Sequence, residues 1–596
     1  MIFSRATKLR FRRKFRMQQK QMVLLGQQAE AEIEKDFFKR LERMSRRAWR
    51  FTILWLLLFV VLIGGVLAQT LALNGYYQAL QPVPGGVYGE GVVGAFTNAD
   101  PMYATSPVDT TVSKLLFAGL FTYNSQNQLV GDLASDWGVN TRATVYTVHL
   151  KHHVTWQDGQ PLTAADVVFT YQTVQNPDAR SPFQSGWANI KIAAPSPDTV
   201  TFTLPNPLAS FPYSLTMGIV PKHLLAQVPL DNLRSSAFNT LQPVGAGPFA
   251  WQTLQVSGNA TENQTEQIAL KPFAQYYGGA PKLSGLVVHA YRNQADMIAS
   301  FKRQEITAMA GLSDVPPELR KDKNIHAASF PLTAAVMTFF QTTQGVLVDK
   351  TVRQALVQAA DKNAIIHDLD YAAQSVNEPL LSSQLGYNPA YMQAGHDLAA
   401  ANAALDAAGW ARGKDGIRFK SGKPLTFALT APDTSEYKTV ATTLQKQWRA
   451  AGVDVHLTLQ DEADFANTLT THSFDALLYG ISVGVDPDVY AYWDSSQAKP
   501  SSPTRLNFSN YQSGTADASL EAARTRPDPA LRTAKYQPFL EAWRDDAPAL
   551  GLYQPRFLYI TRGPVAGLSV QTINSDIDRF NNVQNWMIRR VRVSNN

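Results

Sequence analysis

Two glycine-bracketed motifs and ten histidines are the residues of this 596-residue chain whose types and spacing could do chemistry. Gly89-Glu-Gly91-Val-Val-Gly94 matches the G-x-G-x-x-G of dinucleotide sites. Such a site needs a strand before it and a helix after it, so that the helix N-terminus meets the pyrophosphate. Pro101 closes off any helix here, and the stretch reads as a glycine-rich first strand. Gly480-Ile-Ser482-Val-Gly484 matches the G-x-S-x-G of a nucleophile elbow after a plausible strand. An elbow needs a helix directly after the serine and a histidine later in the chain. Asp486-Pro487 interrupts the helix, and the last histidine, His472, precedes Ser482. The hydrolase order of serine, acid, histidine is therefore impossible.

The histidines form no metal pattern. His152 and His153 are adjacent in a probable strand and point to opposite faces, and His149 and His152, three apart, are separated in the same way. No H-E-x-x-H, EF-hand loop or G-x-x-x-x-G-K-[ST] occurs; the Gly413-Lys414 and Gly422-Lys423 pairs are followed by Asp and Pro. With no cysteine, disulfides, thiolate metal sites, cysteine nucleophiles and a cysteine-linked lipid anchor are excluded. No catalytic residue, metal ligand or cofactor is assigned, and no engine for ATP hydrolysis is visible. Aromatic residues make up 10% of the chain. An aromatic-rich extracytoplasmic α/β protein without a catalytic motif reads as a binder, because Tyr and Trp give contact area at low entropy cost.

The elements that would position such a site begin after a distinct N-terminal piece. Residues 1–50 hold 15 Lys/Arg against 5 Asp/Glu, residues 51–73 hold no charge, and the remainder is mildly acidic. The net charge of +6 is thus an average over unlike pieces and gives no case for nucleic-acid binding. Residues 51–73 are apolar enough to cross a bilayer as an uncleaved helix of roughly 35 Å. The run is too long, and too far from the start, for a cleaved signal peptide. Arg46, Arg47 and Arg50 abut it, so the positive-inside rule puts residues 1–50 in the cytoplasm and the rest outside. Residues 26–48 read as a helix with Ile33, Phe37, Leu41 and Met44 on one stripe, suited to an anionic lipid surface or a membrane partner. A Pro/Gly linker, Gln81 to Gly86, follows the span.

Strand and helix patterns then alternate, which argues for α/β architecture. Val145–Leu150, Thr199–Leu204, Leu425–Thr430, Val453–Leu459 and Phe474–Gly480 read as strands. Thr163–Gln172 reads as a helix with Thr163 at the N-cap and Asp166 in a capping-box position. Thr351–His367, Asp397–Ala408 and Thr439–Ala451 read as further helices. Ser257–Gln267 is a polar hairpin tip.

Residues 129–171 resemble the signature of the extracellular solute-binding protein family 5, which includes the dipeptide- and oligopeptide-binding proteins of ABC importers. Leu133, Ala134, Trp137, Asp158, Gly159, Pro161, Leu162, Thr163, Ala164, Asp166 and Val167 stand in its characteristic places. Gly245-Ala-Gly247-Pro248-Phe249, Tyr276–Leu286, Val352–Leu356 with Ala360-Asp361-Lys362, Leu405–Trp410 and Asp486-Pro487-Asp488 resemble later blocks, in order.

The resemblance implies a two-lobed periplasmic-binding-protein-like α/β fold of type II, with an extra domain inserted in the first lobe. It divides the chain into lobe one at 84–330, with the insertion at about 106–189, lobe two at 331–555, and a return to lobe one at 556–596. Hinge strands are expected near Phe330–Gln341 and Tyr553–Thr561, with ligand held between the lobes. The ligand candidates are Tyr103, Thr105 and Ser106 on the first loop of lobe one, Trp187 in the insertion, and Tyr479, Gly480, Asp486, Tyr490 and Trp493 around the lobe-two loop. In peptide binders of the family an acid three positions before the Asp-Pro pair holds the peptide amino terminus; here that position is Val483. Asp486 or Asp488 could take its place, or Asp486 could cap the turn at Pro487. The implied function is the membrane-anchored, extracytoplasmic binding component of an ABC importer, partnered by permease and ATPase subunits and capturing oligopeptides. The alternatives are a non-peptide solute, or a receptor signalling through the single span.

Overall fold

A computed structural model of the chain describes residues 5–258, 264–369, 371–502, 504–569 and 572–594. The chain forms two compact units, Met1–Gln81 with Arg590–Asn596, and Pro82–Arg589. The first unit carries one uninterrupted helix, Arg5–Tyr77. The separate helix expected over 26–48 and the apolar run of 51–73 are therefore parts of one element. No proline occurs before Pro82, so nothing removes a backbone donor along the helix. Within it, Ile53–Thr70 is long and apolar enough to cross a membrane. At the end of that stretch the Thr70 hydroxyl donates back to the Val66 and Leu67 carbonyls at 2.8 and 2.9 Å. It thereby needs no outside partner.

The second unit is mixed α/β and is built on two large sheets. The lobe-one sheet has seven strands, in the order Ile325–Pro331, Arg556–Arg562, Ala308–Leu312, Val87–Val93, Gly285–Tyr291, Thr265–Pro272 and Phe249–Ser257. The G-x-G-x-x-G stretch is its central strand, parallel to both neighbours. Tyr88, Glu90 and Val92 are buried on one face. On the other, a Cβ at Gly91 would come within 2.6 Å of Ile306 and 2.9 Å of Met297. The glycine lets the helix Gln294–Lys302 lie close to the sheet. Glu90 meets Arg579 of the C-terminal segment in a fully buried ion pair, with the Tyr559 hydroxyl donating to the same carboxylate at 2.6 Å.

The lobe-two sheet has six strands, in the order Gln374–Ser375, Ala549–Gln554, Ala334–Phe340, Ala476–Ser482, Thr426–Pro432 and Asp454–Gln460. One face packs on a core around Trp448, the other on a core around Trp493 and Trp543. A smaller four-stranded antiparallel sheet runs Ala134–Val139, Val145–Leu150, Thr199–Thr203, Lys191–Ser196. Its last two strands in sequence lie beyond residue 189, the boundary expected for the insertion. The helix packed on it, Ala164–Gln175, opens with the expected capping box: the Thr163 amide donates to Asp166 Oδ2 at 2.8 Å. The single helix expected over Thr351–His367 is instead two, Lys350–Ala359 and Lys362–His367, because Asp361 accepts from the Ala364 amide and starts a new helix. The helix expected from Thr439 begins at Ser435, where Thr434 caps it. The polar hairpin tip lies partly outside the described residues, between strands ending at Ser257 and starting at Thr265.

The chain passes between the two large sheets at Leu332-Thr333 and at Pro555, within the two stretches expected for hinge strands. The passages are side by side: the Leu332 amide donates to the Pro555 carbonyl at 2.9 Å, and Gln554 Nε2 donates to the Leu332 carbonyl at 2.6 Å.

Candidate functional site

The strand Ala476–Ser482 organises the site. On one side it pairs antiparallel with Ala334–Phe340 along its whole length, from Ala334↔Ser482 to Phe340↔Ala476. On the other, its parallel neighbour pairs at Leu429↔Ala476 and Thr430↔Leu477, and the ladder goes no further. Pro432 ends that neighbour, and the chain turns into the helix Ser435–Ala450. Residues 478–482 therefore run next to the hinge with one backbone edge lacking a strand partner. Two phenols stand on this edge: Tyr492 donates to the Ser482 carbonyl at 2.7 Å, and a Cβ at Gly480 would lie 2.9 Å from the Tyr437 hydroxyl. A side chain there would crowd the phenol where it meets the Gly480 backbone.

A cavity of about 670 Å³ follows the same edge, lined by Tyr479, Gly480, Ser482, Tyr492, Arg505 and Phe508 among others. Burial pushes the Tyr492 phenol up to about 12 and raises Tyr479 as well, so both stay neutral donors. A strand edge beside a cavity can accept an extended ligand through main-chain hydrogen bonds, with side chains entering pockets alternately.

The loop after this strand is fastened to the hinge, since the Val483 and Gly484 amides both donate to the Thr333 carbonyl at 3.1 Å. Asp486 is not free to hold an ammonium group. Its carboxylate is gripped by both Arg532 nitrogens, Nη1 at 2.7 Å and Nη2 at 2.5 Å, and it accepts from the Asp488 amide at 3.0 Å. It thus caps the turn at Pro487 and neutralises a buried arginine. Burial alone would lower Arg532, but the hydrogen bonds and charge of Asp486 raise it on balance. Asp488 takes Arg524 at 3.2 Å and, from the other lobe, the Ser210 hydroxyl at 2.9 Å. Beside it the Ala209 amide donates to the Arg524 carbonyl at 2.8 Å, so the lobes touch at this point. Arg524 lies 4.1 Å over the Tyr490 ring.

The other expected site residues are distributed as follows. Tyr479 and Gly480 share the cavity just described. Tyr490 lines a second cavity, of about 560 Å³, with Leu208 and Arg524. Trp187 lines a third, of about 540 Å³, with Ala104, Lys114, Phe183, Thr216 and Ile577. Most of the Trp187 ring is nonetheless buried, stacked 4.1 Å from Tyr171. Trp493 is a core residue: fully buried, with its ring against Phe339 and Trp543 at 5.7 and 5.5 Å. Tyr103 is buried too, and Ser106 serves as the N-cap of the helix Pro107–Leu116, accepting from the Asp109 amide at 3.1 Å. Thr105 is exposed, and none of Tyr103, Thr105 and Ser106 lines these three cavities. Sequence reasoning missed Tyr492, Arg505 and Arg532. Tyr492 was within reach of the argument that named Tyr490. The arginines were not, since a pairing across 46 positions leaves no local pattern. Among the described residues no group of three or more His, Asp or Glu side chains is placed to hold a metal ion.

The profile of the bacterial extracellular solute-binding proteins, family 5 Middle, matches residues 128–502. The oligopeptide-binding protein AppA of Bacillus subtilis is 25% identical over 489 residues, covering 80% of this chain and 88% of that protein. Among solved structures, NikZ from Campylobacter jejuni in complex with Ni(L-His) is similar with a TM-score of 0.69 and 25% identity, covering 84% of this chain and 99% of that one. The structure of AppA from Bacillus subtilis in complex with a nonapeptide has a TM-score of 0.67 at 23% identity, with 85% and 100% covered.

Proposed function

The chain belongs to the bacterial extracellular solute-binding proteins of family 5, and from that premise we propose that it captures peptides on the unpaired edge of the strand Ala476–Ser482. Members of the family are substrate-binding proteins of ABC transporters rather than enzymes, and this chain would serve an importer of the peptide type together with permease and ATPase subunits. The observation that carries the peptide reading is the strand edge left open by its neighbour at Thr430, directly beside a 670 Å³ cavity. A peptide backbone can continue that ladder whatever its sequence, which suits a carrier of many peptides. The name of the Bacillus subtilis relative points the same way. The hydrogen bond between Ser210 of lobe one and Asp488 of lobe two would hold the lobes together in the closed state.

A second reading, a non-peptide solute, is favoured by one observation: Val483 and the occupied Asp486 leave the lobe-two loop without a free acid for a peptide ammonium. The Ni(L-His) complex of NikZ is the precedent. Native mass spectrometry of the full-length protein in detergent, with sequencing of whatever is released on denaturation, separates the two. Co-purified peptides of mixed sequence are expected; a single non-peptide solute would overturn the peptide reading.

The same proposal places the binding unit outside the cell. Ile53–Thr70 would span the membrane once, with the basic residues Arg46, Arg47 and Arg50 on the cytoplasmic side. The division into lobe one at 84–330, lobe two at 331–555 and a return at 556–596 belongs to this reading. Tethering raises the effective concentration of the binder at its permease. Protease added to intact cells should digest the binding unit and spare the first 50 residues; full protection of the chain would overturn this topology.

A further inference from the structure

We infer that Arg505 makes the lobe-two cavity a carboxylate subsite, so that the peptides retained there carry an acidic group. The inference rests on the peptide reading of the same strand edge. Among the described residues Arg505 is the one charged side chain lining the cavity, and no Asp or Glu lines it. Nη1 donates to the Thr470 carbonyl at 2.8 Å, while Nε is enclosed without a hydrogen-bond partner. Among the described residues no carboxylate lies within ion-pair distance of it. The buried arginines of the fold behave differently. Arg418, Arg532 and Arg579 each meet a carboxylate. Arg353 has none but spends five hydrogen bonds on carbonyl oxygens. An unpartnered Nε also occurs at Arg524, Arg532, Arg556 and Arg562, but each of those has a carboxylate on a terminal nitrogen, whereas half-buried Arg505 has none and faces the space a ligand would enter.

The backbone that presents it is itself held in an uncommon conformation. Arg505 has a φ of +45°, in the left-handed region that non-glycine residues seldom adopt. Its amide donates to Ser502 Oγ at 3.2 Å and its carbonyl accepts from His472 Nε2 at 2.9 Å. Burial, aided by the Arg505 charge, lowers His472 below its ordinary value despite those hydrogen bonds, so it adds no second cation. Tyr479 and Tyr492, the other titratable groups of the lining, are held neutral; Tyr492 gives its proton to the Ser482 carbonyl, and Tyr479 can donate alongside the guanidinium. A single cation flanked by a neutral donor, beside an open backbone edge, selects an anionic substituent on an extended chain.

The test uses the full-length protein in detergent and pentapeptide amides with one glutamate at each of the five positions, each competed against its glutamine counterpart. Retained peptides are counted by native mass spectrometry. At one position or more, glutamate should be retained about 10- to 100-fold over glutamine. Arg505→Gln should erase the preference and Arg505→Lys should keep part of it, with thermal unfolding showing both variants folded. Equal retention of each pair by the wild type overturns the Arg505 subsite and leaves the peptide reading standing. So does a preference that survives in Arg505→Gln. Retention of none of the peptides by the wild type overturns both. The wild-type ratio decides the matter even where a variant fails to fold.

Discussion

Two of the buried aspartates, one in each lobe, solve the same problem in opposite ways. Asp486 of lobe two is matched by the Arg532 guanidinium on both carboxylate oxygens. Asp100 of lobe one has no cation against it: Oδ1 accepts from the Met102 amide at 2.8 Å and Oδ2 has no partner. Burial therefore pushes Asp100 up to about 7, and the Met102 hydrogen bond offsets little of that. A charge taken out of water must be paired or given up. Arg505 is the third case, a cation with neither a carboxylate partner nor a means of giving up its proton, placed at a cavity instead of in the core. The three side chains differ by what faces them, and that decides which are structural and which are left for a ligand.

The largest effect expected is from Arg532→Met, which strands Asp486 and should cost about 3–5 kcal/mol in denaturant unfolding. The double replacement Asp486→Leu with Arg532→Met should recover most of that loss; a double variant as unstable as the single would break the comparison. Asp100→Asn tests the opposite case. The wild-type carboxyl binds its proton more tightly folded than unfolded, so its contribution is fully present below about 3.8 and is lost as pH rises towards about 7. The asparagine variant keeps the Oδ1 acceptor and lacks that loss. Its advantage should be small at pH 4 and reach on the order of 2–4 kcal/mol at pH 8. An advantage that does not change with pH would show that Asp100 stays ionised.

Ser210→Ala removes the contact between lobe one and Asp488 and should shift the lobes apart by about 1 kcal/mol, read as a larger radius of gyration in solution scattering. An unchanged radius would mean that other contacts hold the lobes. Arg505→Gln should change stability least, within about 0.5 kcal/mol, because it strands no acid. A loss as large as that of Arg532→Met would make Arg505 structural and sharpen the contrast out of existence.

What the sequence makes legible is whatever a short stretch decides by itself. The Thr163–Asp166 capping box, the glycine-rich strand around Gly91 and the strand through Tyr479 follow from spacing within a few residues. The break at Ala360-Asp361 was hidden because the apolar pattern continues through it, and an aspartate that starts a helix looks like one carried inside it. The long N-terminal helix was divided on paper because composition changes along it while backbone conformation does not. At the site, Tyr479 and Gly480 were within reach, whereas the engagement of Asp486 and the burial of Trp493 depend on partners far along the chain. The most informative feature, the edge of Ala476–Ser482, is set by where a neighbouring strand stops pairing, and no single segment encodes that.

The two chain passages at Leu332-Thr333 and Pro555 work mechanically as a pair of closely set pins. Because they are hydrogen-bonded to each other, sliding or twisting one sheet against the other would have to break that bond. Rotation about the line through the pins leaves that bond intact. Such a rotation would instead have to part the Ser210–Asp488 and Ala209–Arg524 hydrogen bonds, which join the two arms of this lever. Those two bonds therefore act as a latch on the swing that the pins permit.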